Sequence, residues 1–288
     1  MSTMRMSVSV AVVLSALLTA GAASAELQLP RVSPHASVSQ TVGVTDITIT
    51  YSRPGVKGRV IWGELVPWNK VWRTGANEAT TIAFGDDVTV DGHPLPAGRY
   101  SLATIPTETT WTVIFNKVAD QWGMYSYKPE EDALRITVTP RPVPFTEWLT
   151  FSFPELTPDS AVVAMTWEKL EVPFTVKVDV VAATVAKARA AVEAAPTDDW
   201  RTPYRAAAFL IEHDADVGEA QRWLERSIMA KETFANLGLK ARFLAKSGDY
   251  KDAVAIGRRA VAAGQAQKPP ADTSELDKLI TEWAARAK

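Results

Sequence analysis

From Thr45 the side chains alternate, with Ile47, Ile49 and Tyr51 separated by the polar residues Asp46, Thr48 and Thr50. A period of two puts each set on its own face of an extended chain, so the segment predicts a half-buried strand. The alternation returns over residues 100–105, in Trp111, Val113 and Phe115, and in Leu134, Ile136 and Val138. It appears again in Leu149, Phe151 and Phe153 and in Val163, Met165 and Trp167, and residues 172–178 predict a last strand with Phe174, Val176 and Val178 inward. Turn signals separate these runs. Asp91-Gly92 suits the positive φ angles of a tight hairpin, and Leu95-Pro96-Ala97-Gly98 supplies a second turn. Pro140, Pro142 and Pro144 read as an exposed connection between strands, because a missing N–H breaks a ladder. Many short strands divided by turns predict an all-β antiparallel sandwich or jelly roll.

Beyond residue 180 the chain turns alanine-rich and its apolar positions recur at three and four, the spacing of helices that bury one face. Asp198-Asp199 and Pro203 predict the start of a helix over about residues 203–213. Ala208, Val217, Ala220 and Ser227 correspond to Ala241, Tyr250, Ala253 and Ala260 at a step of 33, which predicts repeated helical hairpins. The second copy, with Gly248, Asp249 and Tyr250 between its alanines, resembles the tetratricopeptide pattern, while the first has Ala215 where Gly248 stands. Two copies fall short of a self-sufficient stack, so helices over residues 180–195 and 274–287 are expected to cap the ends. The expected organisation is a β domain over residues 26–178 followed by an all-α, tetratricopeptide-like domain over residues 179–288.

The amino-terminal residues change the picture of where this chain works. Arg5 precedes an apolar run over residues 8–20 and then Ala23-Ser24-Ala25, the pattern of a secretory signal peptide ending at residue 25. The expectation is a periplasmic or extracellular protein with no membrane-spanning segment after signal removal. With no cysteine there is neither a lipid-accepting residue nor a disulfide. Without residues 1–25 the chain carries 30 basic and 33 acidic residues, a net charge of −3 that argues against nucleic acid as a partner. His35, His93 and His213 lack ligand spacing, so no metal or other cofactor is expected.

Candidate chemistry concentrates between Ser52 and Glu78, where Arg53, Lys57, Arg59, Arg73, Asn77 and Glu78 gather around Trp72 and several glycines. Guanidinium groups take carboxylate or phosphate through paired hydrogen bonds, so Arg53, Arg59 and Arg73 in a concave cluster would hold an anionic or glycan ligand. Glu78 would orient an arginine or act as an acid or base, and Glu64 with Glu78 is a conceivable glycosidase pair. The same residues equally suit an ion-pair and hydrogen-bond network that holds a long loop against the sheet. His93 is expected at an exposed hairpin tip, Asp86-Asp87 in a turn, and most of Trp62, Trp68, Trp72, Trp111, Trp122, Trp148 and Trp167 in the core. The helical array offers a groove to a protein partner or serves as a stabilising appendage.

Four motifs stand in a distinctive order: Val38-Ser39-Gln40-Thr41 leading to Ser52-Arg53-Pro54-Gly55-Val56-Lys57-Gly58-Arg59, then Val71-Trp72-Arg73-Thr74-Gly75-Ala76-Asn77-Glu78, then Leu95-Pro96-Ala97-Gly98-Arg99-Tyr100, then Trp111-Thr112-Val113-Ile114-Phe115-Asn116-Lys117. In these, residues 30–178 resemble the bacterial family called domain of unknown function 2911. The resemblance implies no reaction. Three roles therefore stay open: a non-enzymatic binding protein, a hydrolase of envelope carbohydrate, and a purely structural protein.

Overall fold

The computed structural model describes residues 29–287, so the expected signal peptide lies outside the described part of the chain. From Ser33 onward the chain forms one compact unit. Two antiparallel sheets come first. The larger contains β1 (His35–Val42), β2 (Thr45–Ser52), β3 (Thr81–Phe84), β6 (Gly98–Pro106), β7 (Trp111–Asn116) and β8 (Asp132–Val138), in that spatial order. The smaller is ordered β5 (His93–Leu95), β4 (Val88–Val90), β10 (Ser160–Val178) and β9 (Arg141–Leu156).

The alternation read from the sequence sets which faces meet. Ile47, Ile49 and Tyr51 of β2, Trp111, Val113 and Phe115 of β7, and Phe151, Met165, Trp167 and Phe174 of the smaller sheet share one buried cluster. Each such side chain, fully buried, contributes roughly 1.5–3 kcal/mol. Phe115 meets Phe174 edge to face at 5.7 Å, and the Phe151 N–H donates to the Tyr51 hydroxyl at 3.1 Å, so both apolar and polar contacts tie the sheets together. The architecture is a sandwich.

Three sequence expectations need correction. Pro142 and Pro144 lie inside β9, with Pro142 opposite Leu170. Their missing N–H groups are tolerated because β9 is an edge strand and its ladder with β10 is broken by irregularities in register. The two strands expected between residues 163 and 178 are one, β10, whose bulges and left-handed Glu168 (φ 57°) interrupt the period of two. Strands β1 and β3 were not predicted; β1 alternates exposed and half-buried positions, and its small serines and threonine leave little apolar signal.

The helices are α1 (Val180–Ala194), α2 (Arg201–Glu212), α3 (Val217–Ala230), α4 (Phe234–Lys246), α5 (Tyr250–Gln265) and α6 (Ser274–Arg286). Helices α2 and α4 begin 33 residues apart, as do α3 and α5. The carboxylates of Asp216 and Asp249 cap α3 and α5, accepting from Glu219 N and Asp252 N. Ala220, Ala241, Ala253 and Ala260 are fully buried, as close helix approach requires. At the α2 start the Asp199 carboxylate accepts from Arg201 N at 2.8 Å and Thr202 N at 3.2 Å, so Pro203 falls inside the first turn.

Helix α1 grows directly out of β10, and its first turn belongs to the sandwich core. Val180 packs on the bare backbone of Gly43, where a Cβ would come within 2.5 Å of a Val180 methyl, and Ala183 joins the sandwich cluster. One turn further, Lys187 Nζ donates to both Asp86 oxygens at 2.6 and 2.7 Å, and Thr45 Oγ1 donates to the same carboxylate at 2.7 Å. Burial raises the pKa of Asp86, but the bonds from Lys187 and Thr45 outweigh it and hold the group below the ordinary carboxylate range.

Candidate functional site

Antiparallel neighbours such as β2 and β3 need only about 2–5 linking residues. Here residues 53–80 intervene, and hydrogen bonds show where they go. The segment first runs along the open edge of β9, with Val56 N donating to Glu147 O at 2.8 Å and Leu149 N to Pro54 O at 3.0 Å. It then crosses to the larger sheet and continues the line of β3, where Trp72 and Thr104 exchange two backbone bonds of 2.8 Å. The polar residues singled out in the sequence are thereby distributed over three places.

Arg53, Lys57 and Arg59 stand beside β9. Arg53 donates from Nε to Leu149 O at 2.8 Å and from Nη2 to Thr150 Oγ1 at 2.6 Å. Arg59 donates to Gly55 O at 2.6 Å and Val56 O at 3.1 Å. Arg53 thus holds the excursion against the sheet, Arg59 folds the excursion onto its own Gly55 and Val56 carbonyls, and no three-arginine cluster with Arg73 is formed by these bonds. Lys57 gives its backbone N–H to Glu147 Oε1 at 2.9 Å and lays its ammonium 5.7 Å from the ring centre of Trp148.

Trp72 turns inward. Its ring stacks with Trp167 at 5.8 Å, and Trp62 meets Trp72, Trp111 and Trp167 edge to face at 5.9, 4.9 and 5.7 Å. Its indole N–H donates to Gly75 O at 3.2 Å. Trp72 therefore belongs to the core rather than to a ligand surface.

Arg73, Asn77 and Glu78 converge with a second loop that sequence reasoning passed over, residues 117–131. Ala79 N donates to Gln121 O at 3.0 Å, Gly123 N donates to Asn77 O at 3.2 Å, and Glu78 bridges Trp122 in antiparallel fashion. A Cβ on Gly123 would lie 3.3 Å from Arg73 Nη1 and 3.1 Å from the Tyr125 ring, so guanidinium and phenol flank one bare backbone position. Trp122 is 61% exposed and Tyr125 83%. Arg73 is half-buried, and its Nε, like the amide oxygen of Gln121, is enclosed without a hydrogen-bond partner. The exposed Trp122 and Tyr125 thus stand on either side of Gly123 beside the Arg73 guanidinium, while the Asn77 amide donates to Ser33 O at 3.1 Å.

Both loops are held firmly. Thr74 (φ 53°) and Asn77 (φ 58°) adopt left-handed backbone that a β-branched threonine strongly disfavours. Thr74 is kept there by donating to Trp72 O at 3.3 Å and Thr104 Oγ1 at 3.2 Å, while Thr80 Oγ1 donates to Thr74 O at 2.9 Å. On the second loop Asp132 accepts from Tyr127 at 2.7 Å, Arg135 Nε at 2.6 Å and Asn116 Nδ2 at 2.8 Å. Burial, then the bond to Asp132, pushes the Tyr127 phenol up to about 12, so it stays a neutral donor at ordinary pH.

The other candidates take simpler places. His93 begins β5, exposed beside the Asp91-Gly92 turn. Asp87 accepts from Ala97 N at 2.7 Å, and with Asp86 bound by Lys187 the acidic pair is occupied by the protein's own donors. Among the described residues no group of three or more His, Cys, Asp or Glu is arranged to hold a metal ion, and no helix is long and apolar enough to cross a membrane. Most of the seven tryptophans were expected in the core and Trp122 is an exception; the sequence signal for its exposure is its place between the polar pair Asp120-Gln121 and Gly123.

The model for the family described as Protein of unknown function (DUF2911) matches residues 33–176, half of the chain, and spans both sheets and both site loops. No curated protein and no solved structure matches.

Proposed function

The chain belongs to the DUF2911 family, and from that premise we propose that it is an exported, non-enzymatic binding protein of the cell envelope whose β sandwich holds a glycan. The observation that carries this reading is the exposed Tyr125 flanking Gly123 together with the Arg73 guanidinium, beside exposed Trp122, which is bridged to Glu78. A flat apolar face beside fixed polar groups matches a sugar ring, which offers C–H bonds on its faces and hydroxyls at its edge. Arg73 brings a charge suited to an acidic sugar substituent. Two rigidly anchored loops keep these groups in place before any ligand arrives, which lowers the ordering cost of binding.

Export supports the same reading, since envelope glycans lie outside the cytoplasm and residues 1–25 have the pattern of a secretory signal. The test is a screen of the purified protein against neutral and acidic glycans, followed by Trp122→Ala and Arg73→Met. Loss of binding in Trp122→Ala with an unchanged circular dichroism spectrum is expected, and Arg73→Met should weaken acidic ligands more than neutral ones. If every glycan fails to bind, or if Trp122→Ala binds like the parent, the assignment is wrong.

A further inference from the structure

The two sheets have four outer strands, β1 and β8 in the larger and β5 and β9 in the smaller. An outer strand presents a row of N–H and C=O groups that another strand can pair with, so exposed edges are normally blunted by proline, charge, bulges or a covering segment. Three of the four are. Strand β5 has only three residues, one of them Pro94. Strand β9 contains Pro142, Pro144 and Pro154, has register breaks against β10, and is covered at Glu147 and Leu149 by residues 54–56. Strand β8 carries the exposed cation Arg135 at its centre.

Strand β1 has none of these devices. Its eight residues include no proline and no Asp, Glu, Lys or Arg, and they pair with β2 without a break in register. Outside that ladder Thr41 O accepts from the neighbouring Gln40 side chain at 2.9 Å, and no other backbone–backbone bond reaches β1 among the described residues. The hydrophobic core also stops short on this side. Ala36 and Val38 of β1, and Phe153 of β9, which β1 meets across the sandwich, pack on the central cluster yet stay half-buried.

A regular, uncharged edge fits a second strand of the same character, and β1 itself has it. Set antiparallel to its own copy about Val38, the strand places Val38 against Val38 of the partner subunit and Ser37 against Ser39 of the partner subunit. Like meets like, no charge is buried, and the half-covered apolar residues gain cover. The hydroxyl pairs that link β1 to β2, Ser39 with Thr48 at 2.9 Å and Ser37 with Thr50 at 3.5 Å, then run on into the second copy. We propose that β1 is a homodimer interface, through which two chains pair about a twofold axis and join their six-stranded sheets into one. Eight residues from each chain make a small contact, so the dissociation constant falls in roughly the micromolar range.

Sedimentation equilibrium of the full chain purified after export, over about 1–300 µM, tests this. The parent passes from monomer to dimer across that range. Ser37→Lys combined with Ser39→Lys sets like charges directly opposite each other on both sides of the axis and weakens association about tenfold or more. Both positions are exposed, so the circular dichroism spectrum and thermal unfolding of that monomer match the parent's. Ser37→Glu combined with Ser39→Lys sets opposite charges across the same pairs and restores the dimer, a rescue that only antiparallel pairing about Val38 produces. A parent that stays monomeric overturns the proposal, whether or not its edge then takes an added strand-forming peptide. A double-lysine variant that dimerises like the parent also overturns it by placing the contact elsewhere, and a charge-swapped variant that stays monomeric overturns the pairing about Val38.

Discussion

Replacing Ser227 by alanine sets two lines of reasoning against each other. By the 33-residue repeat the change is an improvement, since the equivalent Ala260 is fully buried and small residues let the paired helices approach. By the structure it is damaging, because Ser227 both donates to Trp200 O and accepts from Asn236. Removing the hydroxyl breaks two buried hydrogen bonds and strands one carbonyl and one amide proton, which amounts to about 1.5–3 kcal/mol. Asn236→Ala breaks three, to Ser227, Lys231 and Thr233, and opens a small void, for about 3–4 kcal/mol. The two share one bond, so the double variant should be less destabilised than the sum by about 1 kcal/mol. Urea unfolding followed by the helical circular dichroism signal measures all four corners of the cycle. A Ser227→Ala protein within about 0.5 kcal/mol of the parent, the usual range of inconsequential substitutions, would refute the reasoning and return the position to the repeat rule.

Three further outcomes are expected. Gly123→Ala forces a side chain onto a backbone with φ 62° and into contact with Arg73 and the Tyr125 ring; thermal unfolding should show a loss of about 1–2 kcal/mol, and glycan titration a larger relative loss. Asp86 has a lowered pKa, so its contribution is complete above the unfolded carboxylate value near 4 and disappears as pH falls through the lower folded value. Hydrogen exchange of the α1 amides should accelerate in that acid window, and Lys187→Met should remove the pH dependence. Tyr127 titrates in the opposite sense: its stabilisation is complete below about pH 10 and is lost as pH rises toward 12, which ultraviolet phenolate absorbance in the parent and in Tyr127→Phe will show.

The legible parts of this fold were those where one signal dominates. Strands β2 and β8 alternate because one face is core and the other more exposed, β6 and β7 are buried on both faces yet keep strand-forming side chains, and the start of α2 was marked by the aspartates before it. Strand β1 was missed because its serines and threonine give little contrast between faces, and β3 because its four residues are too short a run to show a period. The continuity of β10 was missed for a different reason: a bulge shifts the alternation by one residue and makes a single strand read as two. Arg53 and Arg73 are near in sequence but their directions are set by β9 on one side and residues 117–131 on the other, long-range partners that no local pattern announces, whereas Arg59 bonds the carbonyls of Gly55 and Val56 just before it. Trp122 and Trp148 failed the general expectation that tryptophan is buried, although Trp62, Trp72, Trp111 and Trp167 followed it.

The long excursion after β2 has two parts, and only one is explained by stability. Residues 60–72 deliver Trp62 and Trp72 into a four-indole cluster, a large apolar gain that needs no other reason. Residues 73–78 deliver nothing apolar to the core: Arg73, Asn77 and Glu78 are half-exposed, and the turn that places them keeps Thr74 and Asn77 in left-handed backbone at a cost of about 1–2 kcal/mol each. Once Trp72 has paired with Thr104, a strand already lies in line with β3 and a relaxed connection would suffice. The strained turn instead sets Arg73 against Gly123 and lines Asn77 and Glu78 along the loop that exposes Trp122 and Tyr125. Strain maintained by buried threonine hydrogen bonds, at a place where it displays polar groups beside aromatic ones, is what a preformed binding surface requires and what a mere connector does not.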